Sequence, residues 1–160
     1  MRSTKKRFAI ACLGLVLVIA VEAQQPRKKE TMKQQPQVEY LTTPRPRPAP
    51  FSDAVRVGDM LYLSGKLGTD NSGRLVPGGI QAETKQTMEN IRSLLERNGS
   101  SLANVVKCTV MLADMGEWGA MNEVYVTFFA ADRRPARSAF GVSGLALNAR
   151  VEIECLATIK

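Results

Sequence analysis

Histidine is absent from all 160 residues. That single absence excludes Ser-His-Asp and Cys-His nucleophile arrangements, histidine general bases and the usual zinc ligand sets. Any chemistry must therefore use carboxylate, arginine, hydroxyl, backbone groups or water. Long hydrophobic runs are also missing. The uncharged apolar stretch at residues 8–21 is 14 residues long, short of the roughly 20 that a membrane-spanning helix needs. Cysteine is sparse, with only Cys12, Cys108 and Cys155. Finally, the C-terminal two thirds lacks net charge. The chain is +7 overall, but residues 51–160 hold 12 Lys/Arg against 12 Asp/Glu. A basic total usually hints at nucleic acid or membrane partners; here the excess sits upstream, and the domain has no net pull on phosphate. Nucleic acid is not the expected partner.

What is present upstream divides into two parts. Arg2, Lys5, Lys6 and Arg7, the apolar run and Val21-Glu22-Ala23 have the three-part layout of a secretory signal peptide over residues 1–23, with cleavage before Gln24. Cys12 lies too early in the run for a lipoprotein cleavage site. This reading implies export to a periplasm or the outside, without stable membrane insertion. An uncleaved anchor is the alternative. Residues 24–50 carry six of the eight prolines. Proline removes a backbone donor and fixes φ, so this segment is expected to be a basic linker outside any sheet or helix.

The domain is expected to span residues 51–160. Ala54-Val-Arg-Val and Met60-Leu-Tyr-Leu around Gly58-Asp59 read as a hairpin. A helix follows over residues 80–97, with Thr84, Met88, Ile91 and Leu95 at helical spacing and Asn98-Gly99 as its left-handed end. Residues 105–112 alternate as a strand. Asp114, with Glu117 three residues on, suggests an N-cap and capping box. Trp118, Met121, Tyr125 and Phe128 mark the apolar stripe of a second helix. Residues 136–142 and 150–159 are the last strands. The order is β-β-α-β-α-β-β, a single α+β domain. Two helices cover only one face of such a sheet. The other face would carry Lys107, Thr109, Met111, Glu152, Glu154 and Leu156, a mixture that a second copy of the chain typically completes. Cys108 and Cys155 fall within alternating strands and read as small buried hydrophobes. An exported location permits a disulfide, but nothing in the spacing argues for one.

Ser64-Gly65, the run from Asn104 to Met115, Met121-Asn-Glu-Val-Tyr125, Pro135-Ala-Arg-Ser138 and Val151-Glu-Ile-Glu154 stand in the order and spacing of one known family. The chain resembles the RidA/YjgF family across residues 51–160. That resemblance implies a chorismate-mutase-like fold with one mixed sheet and two helices. It also implies a homotrimer with clefts between subunits, and hydrolysis of 2-enamino and 2-imino acids to 2-keto acids and ammonia without cofactor or metal. By resemblance, Arg137 binds the substrate carboxylate and Glu152 positions water. Phe51, Gly65, Asn122 and Ala139 complete the substrate-binding set. The family's usual tyrosine is Phe51 here, its frequent cysteine is Ala139, and Lys66-Leu-Gly follows Gly65.

Physical reasoning bears on two of these residues. A planar guanidinium grips a carboxylate bidentately, and a carboxylate can orient water towards an electrophilic carbon. If the last two strands form a hairpin, Arg137 and Glu152 face each other across it, since their midpoint falls in the intervening loop. A cross-strand ion pair would look the same at this level. A non-catalytic module binding a small carboxylate on the same trimer is the competing function.

Overall fold

The computed structural model describes residues 35–44 and 49–159. The leader at 1–23, its cleavage site and most of the linker lie outside the described residues. The compact unit runs from Gln35 to Lys160. Its seven strands are β1 (Val38–Leu41), β2 (Ala54–Val57), β3 (Met60–Leu63), β4 (Lys66–Leu67), β5 (Val105–Leu112), β6 (Ala136–Gly141) and β7 (Val151–Thr158). Two helices accompany them, α1 (Gly79–Arg97) and α2 (Trp118–Tyr125). The strands form one mixed sheet in the order β1-β2-β3-β7-β5-β6, with β4 also paired to β7.

The long elements follow from periodicity. On α1, Thr84, Met88, Ile91 and Leu95 are all buried, and the helix stops at Gly99, whose φ of 74° is easily reached only without a side chain. On the sheet, Cys108, Val110 and Leu112 of β5 stand opposite Cys155, Ile153 and Val151 of β7. These residues, with Leu61, Leu63, Met121 and Tyr125, make the core beneath the helices. The alternate residues Lys107, Thr109 and Met111 stand opposite Leu156, Glu154 and Glu152. They occupy the face that no helix covers, as expected.

Four expectations are corrected. First, the segment before residue 51 does join the sheet. Prolines 36 and 44 flank a proline-free window, and within it β1 pairs antiparallel with β2. Second, β6 and β7 form no hairpin. The β5-α2-β6 segment is a crossover, which brings β6 back parallel to β5. Meanwhile β7 takes the other side of β5, and its second edge is held by β3 and β4. Third, Cys108 and Cys155 are direct register partners and form a disulfide. Fourth, Glu117 does not cap the second helix. Its carboxylate accepts a hydrogen bond from Arg150 Nη1, while Asp114 Oδ1 accepts from Gly116 N at 2.8 Å.

Candidate active site

Register decides where Arg137 points. It stands beside Cys108 on the neighbouring strand, and residues paired across strands share a face. Arg137 is therefore on the helix-covered face, at the strand that ends the sheet. Its contacts agree. Arg137 Nη1 donates to Asn122 Oδ1 at 2.6 Å. Its guanidinium carbon lies 4.8 Å from the centre of the Tyr125 ring and 5.8 Å from that of Trp118. Residues 118, 122 and 125 share one stripe of α2, so a single helix face grips the guanidinium. Each cation–π contact is worth roughly 0.5–2 kcal/mol. Among the described residues no carboxylate forms an ion pair with Arg137. The charge is positioned but not neutralised, leaving donors of its fork available to an anion.

The backbone adds a donor. Val142 N donates to Leu112 O at 2.9 Å. Strand N–H groups alternate in direction, so those of Arg137, Ala139 and Gly141 point away from β5 towards the unpaired edge. Ala139 thus presents a backbone N–H two residues from the guanidinium-bearing position, which is a role its methyl group does not disturb.

Glu152 lies on the other face. Its register partners are Met111 on β5 and Leu67 on β4. The carboxylate sits directly over Gly65: a Cβ built there would be 1.9 Å from Glu152 Oε1. Glycine at 65 is thus a steric requirement of the carboxylate's position. The same loop ties in Phe51. Ser64 Oγ donates to Ser52 O at 2.7 Å and Ser64 N donates to Asp53 O at 3.0 Å. These bonds hold the exposed Phe51 segment beside Gly65.

The six site residues named from sequence therefore separate into two groups. Arg137, Asn122 and Ala139 form one; Glu152, Gly65 and Phe51 form the other. Two strand spacings, about 10 Å, and the thickness of the sheet separate them. The expected direct opposition of Arg137 and Glu152 does not occur within one chain. Asn122 acts on Arg137 in this arrangement, and the two aromatic contacts were missed because the Trp118–Tyr125 stripe reads as core. The spacing 118, 122, 125 held the signal, since it places the asparagine between them. Burial pushes the Tyr125 phenol up to about 12, with the Arg137 cation opposing; among the described residues its buried hydroxyl has no hydrogen-bond partner. A cavity of about 380 Å³ lies elsewhere, between α1 and β4. Neither Arg137 nor Glu152 lines it, and its Lys66–Asp53 pair at 2.7 Å is satisfied internally.

Residues 42–159 match the family described as endoribonuclease L-PSP. The chain belongs to this family, known also as RidA/YjgF. Among its relatives, a mouse protein named 2-iminobutanoate/2-iminopropanoate deaminase is 47% identical over 109 residues, covering 68% of this chain and 80% of its own. The human protein of the same name is 42% identical over 109 residues, covering 68% and 79%. Of solved RidA/YjgF-type structures, yeast Mmf1 superposes with a TM-score of 0.72 at 33% identity, covering 78% of this chain and all of that one. RidA from an Antarctic Psychrobacter gives 0.67 at 35% identity, covering 79% and 100%.

Proposed function

We propose that this chain hydrolyses 2-imino and 2-enamino acids to 2-keto acids and ammonia, at sites assembled between copies of itself in a homotrimer. The observation that carries this reading is the division of the site into two half-sites on opposite faces of one sheet. Arg137 and Glu152 can serve one substrate only if they come from different subunits. The bare face that carries Glu152 supplies the surface for such an assembly.

The residues divide the work by chemistry. The guanidinium fork of Arg137 and the Ala139 N–H hold the substrate carboxylate. The iminium carbon is already electrophilic and needs no covalent help. Glu152, reaching in from the neighbouring copy, orients a water and accepts its proton as oxygen bonds to that carbon. Returning the proton to nitrogen makes ammonia the leaving group, and the carbinol collapses to the ketone. An enamine first takes a proton on carbon to become the imine. The relatives' deaminase names and the retained arginine and glutamate support this sequence. Export is part of the proposal: the leader has the signal-peptide layout, and a disulfide is at home in an oxidising compartment.

The test is ammonia release from imino acid generated in the assay. Arg137→Lys keeps the charge but loses the parallel hydrogen bonds, and should lower kcat/KM by about 30–150-fold, equivalent to about 2–3 kcal/mol. Arg137→Ala and Glu152→Gln should each be inactive alone. Co-expressed as mixed trimers, they should recover about a quarter of wild-type activity, because random assembly leaves that share of interfaces intact. No recovery would place both residues in one subunit's site or outside any site. Stoichiometric carboxylate binding without ammonia release would instead identify a non-catalytic binding protein.

A further inference from the structure

Two large apolar side chains beside Arg137 are left in water by the fold. Trp118 is 41% exposed and Met115 is 45% exposed. Both follow β5 directly and flank the strand that carries the arginine. Trp118 lies over the guanidinium at one end, 5.8 Å away. Met115 is pressed onto Gly141 at the other, where an added Cβ would come within 3.0 Å of Met115 Cγ. Arg137, Ala139 and Gly141 share one face of β6, so the short side chain of Ala139 lies between the two apolar groups. The second half-site contributes a phenyl ring at Phe51, 54% exposed, where the family's tyrosine would bring a hydroxyl. A charged anchor therefore borders an unusually apolar surface. The methyl group of the smallest imino acids would leave most of that surface wet.

We infer that Trp118 and Met115 form the side-chain subsite of the proposed deaminase, and that its preferred substrates are 2-imino acids with large apolar side chains: branched aliphatic, thioether or aromatic. This rests on the deaminase reading and specifies its substrate class. Each methylene accommodated in an apolar pocket changes specificity by roughly 10–200-fold. The leucine-derived imine should therefore exceed the alanine-derived one in kcat/KM by about tenfold or more.

The experiment uses the full chain and imines generated by an amino-acid oxidase from leucine, methionine, phenylalanine and alanine. Trp118→Ala and Met115→Ala should each shrink the leucine-to-alanine ratio several-fold, chiefly through KM for the larger imines. Trp118→Phe should retain most of it. Met115 packs on Gly141, four residues along β6 from Arg137, so its variant separates loss of the subsite from disturbance of Arg137. A wild-type ratio at or below unity, or a ratio that neither alanine variant moves, would overturn the subsite while leaving the deaminase intact. Absence of ammonia release from every imine would overturn the deaminase reading and the subsite with it.

Discussion

The helix-covered face of the sheet and its bare face each carry half of the candidate site, but they hold their halves differently. Beneath α2, Arg137 is held by an asparagine oxygen and two rings, all from its own chain. On the bare face Glu152 rests over Gly65, among Met111 and Leu67, with Phe140 exposed beside Met111 and with Tyr40 and Tyr62 exposed farther along the same face. One face is organised by the subunit itself. The other presents two exposed tyrosines, on β1 and β3 with Val55 of β2 between them, and a carboxylate that no helix covers. If the two halves serve one substrate, as proposed, activity depends on assembly, because neither half can then both bind and hydrolyse.

The sharpest way to break that comparison is to charge the bare face without touching either half-site. Tyr62 is 45% exposed in the subunit and stands opposite Leu156. Tyr62→Arg costs the isolated chain little, but within a trimer interface it buries an unpaired cation, at a cost of several kcal/mol. The expected result is a folded monomer by light scattering, with ammonia release reduced by at least about a hundredfold. A variant that stays trimeric and active would show that assembly uses another surface.

The disulfide tests the comparison from inside the sheet, since it joins β5, neighbour of the Arg137 strand, to β7, which carries Glu152. Cys108 and Cys155 are separated by 47 positions. Closing a loop of that length should contribute about 2–4 kcal/mol. Replacing both by alanine should lower the melting midpoint by some 10 °C, and reductant should have the same effect on the wild type. An unchanged midpoint would show that the two sulfurs serve only as packing atoms.

What was legible in the sequence depended on range. The strands at 105–112 and 151–158 and the long helix show clean periods, because each buries one side against a single core. Pairing is not local. The midpoint argument for Arg137 and Glu152 assumed that consecutive strands form a hairpin, whereas the crossover through α2 places β6 parallel to β5 and leaves β7 on the far side of β5. The disulfide was hidden for the same reason: two cysteines that look like separate strand residues become partners only once the β5–β7 register is known. Arg137, Glu152, Gly65 and Ala139 were found through family resemblance, and their roles gain physical content only from the faces on which they stand. The grip of Trp118 and Tyr125 on Arg137 was missed because an aromatic stripe at helical spacing usually means core.

The edge of the bare face offers the mildest test, and it concerns the segment where proline composition misled. Averaged over residues 24–50, proline argues against a strand, but β1 occupies the window that lacks it. Beyond the β1–β2 ladder, Asp53 N donates to Leu41 O at 2.8 Å, Gly58 N to Gln37 O at 3.0 Å, and Thr43 N to Asp53 Oδ2 at 2.7 Å. Leu41 packs partly buried against the core, while Val38 and Tyr40 share the bare side with Val57 and Val55. Deletion of residues 1–34 should leave the melting midpoint where it is, since the compact unit begins at Gln35. Deletion of residues 1–50 also removes β1. Full burial of a leucine stabilises by about 1.5–3 kcal/mol, so the partial burial lost here should cost about 1–2 kcal/mol. That corresponds to a fall of about 5 °C in the midpoint. If Val38 and Tyr40 also meet a neighbouring subunit, the fall should shrink as protein concentration drops, because the assembly they strengthen then adds less to stability by mass action. A fall independent of concentration would confine β1 to bracing its own sheet, and equal midpoints for the two truncations would show that it contributes nothing to either.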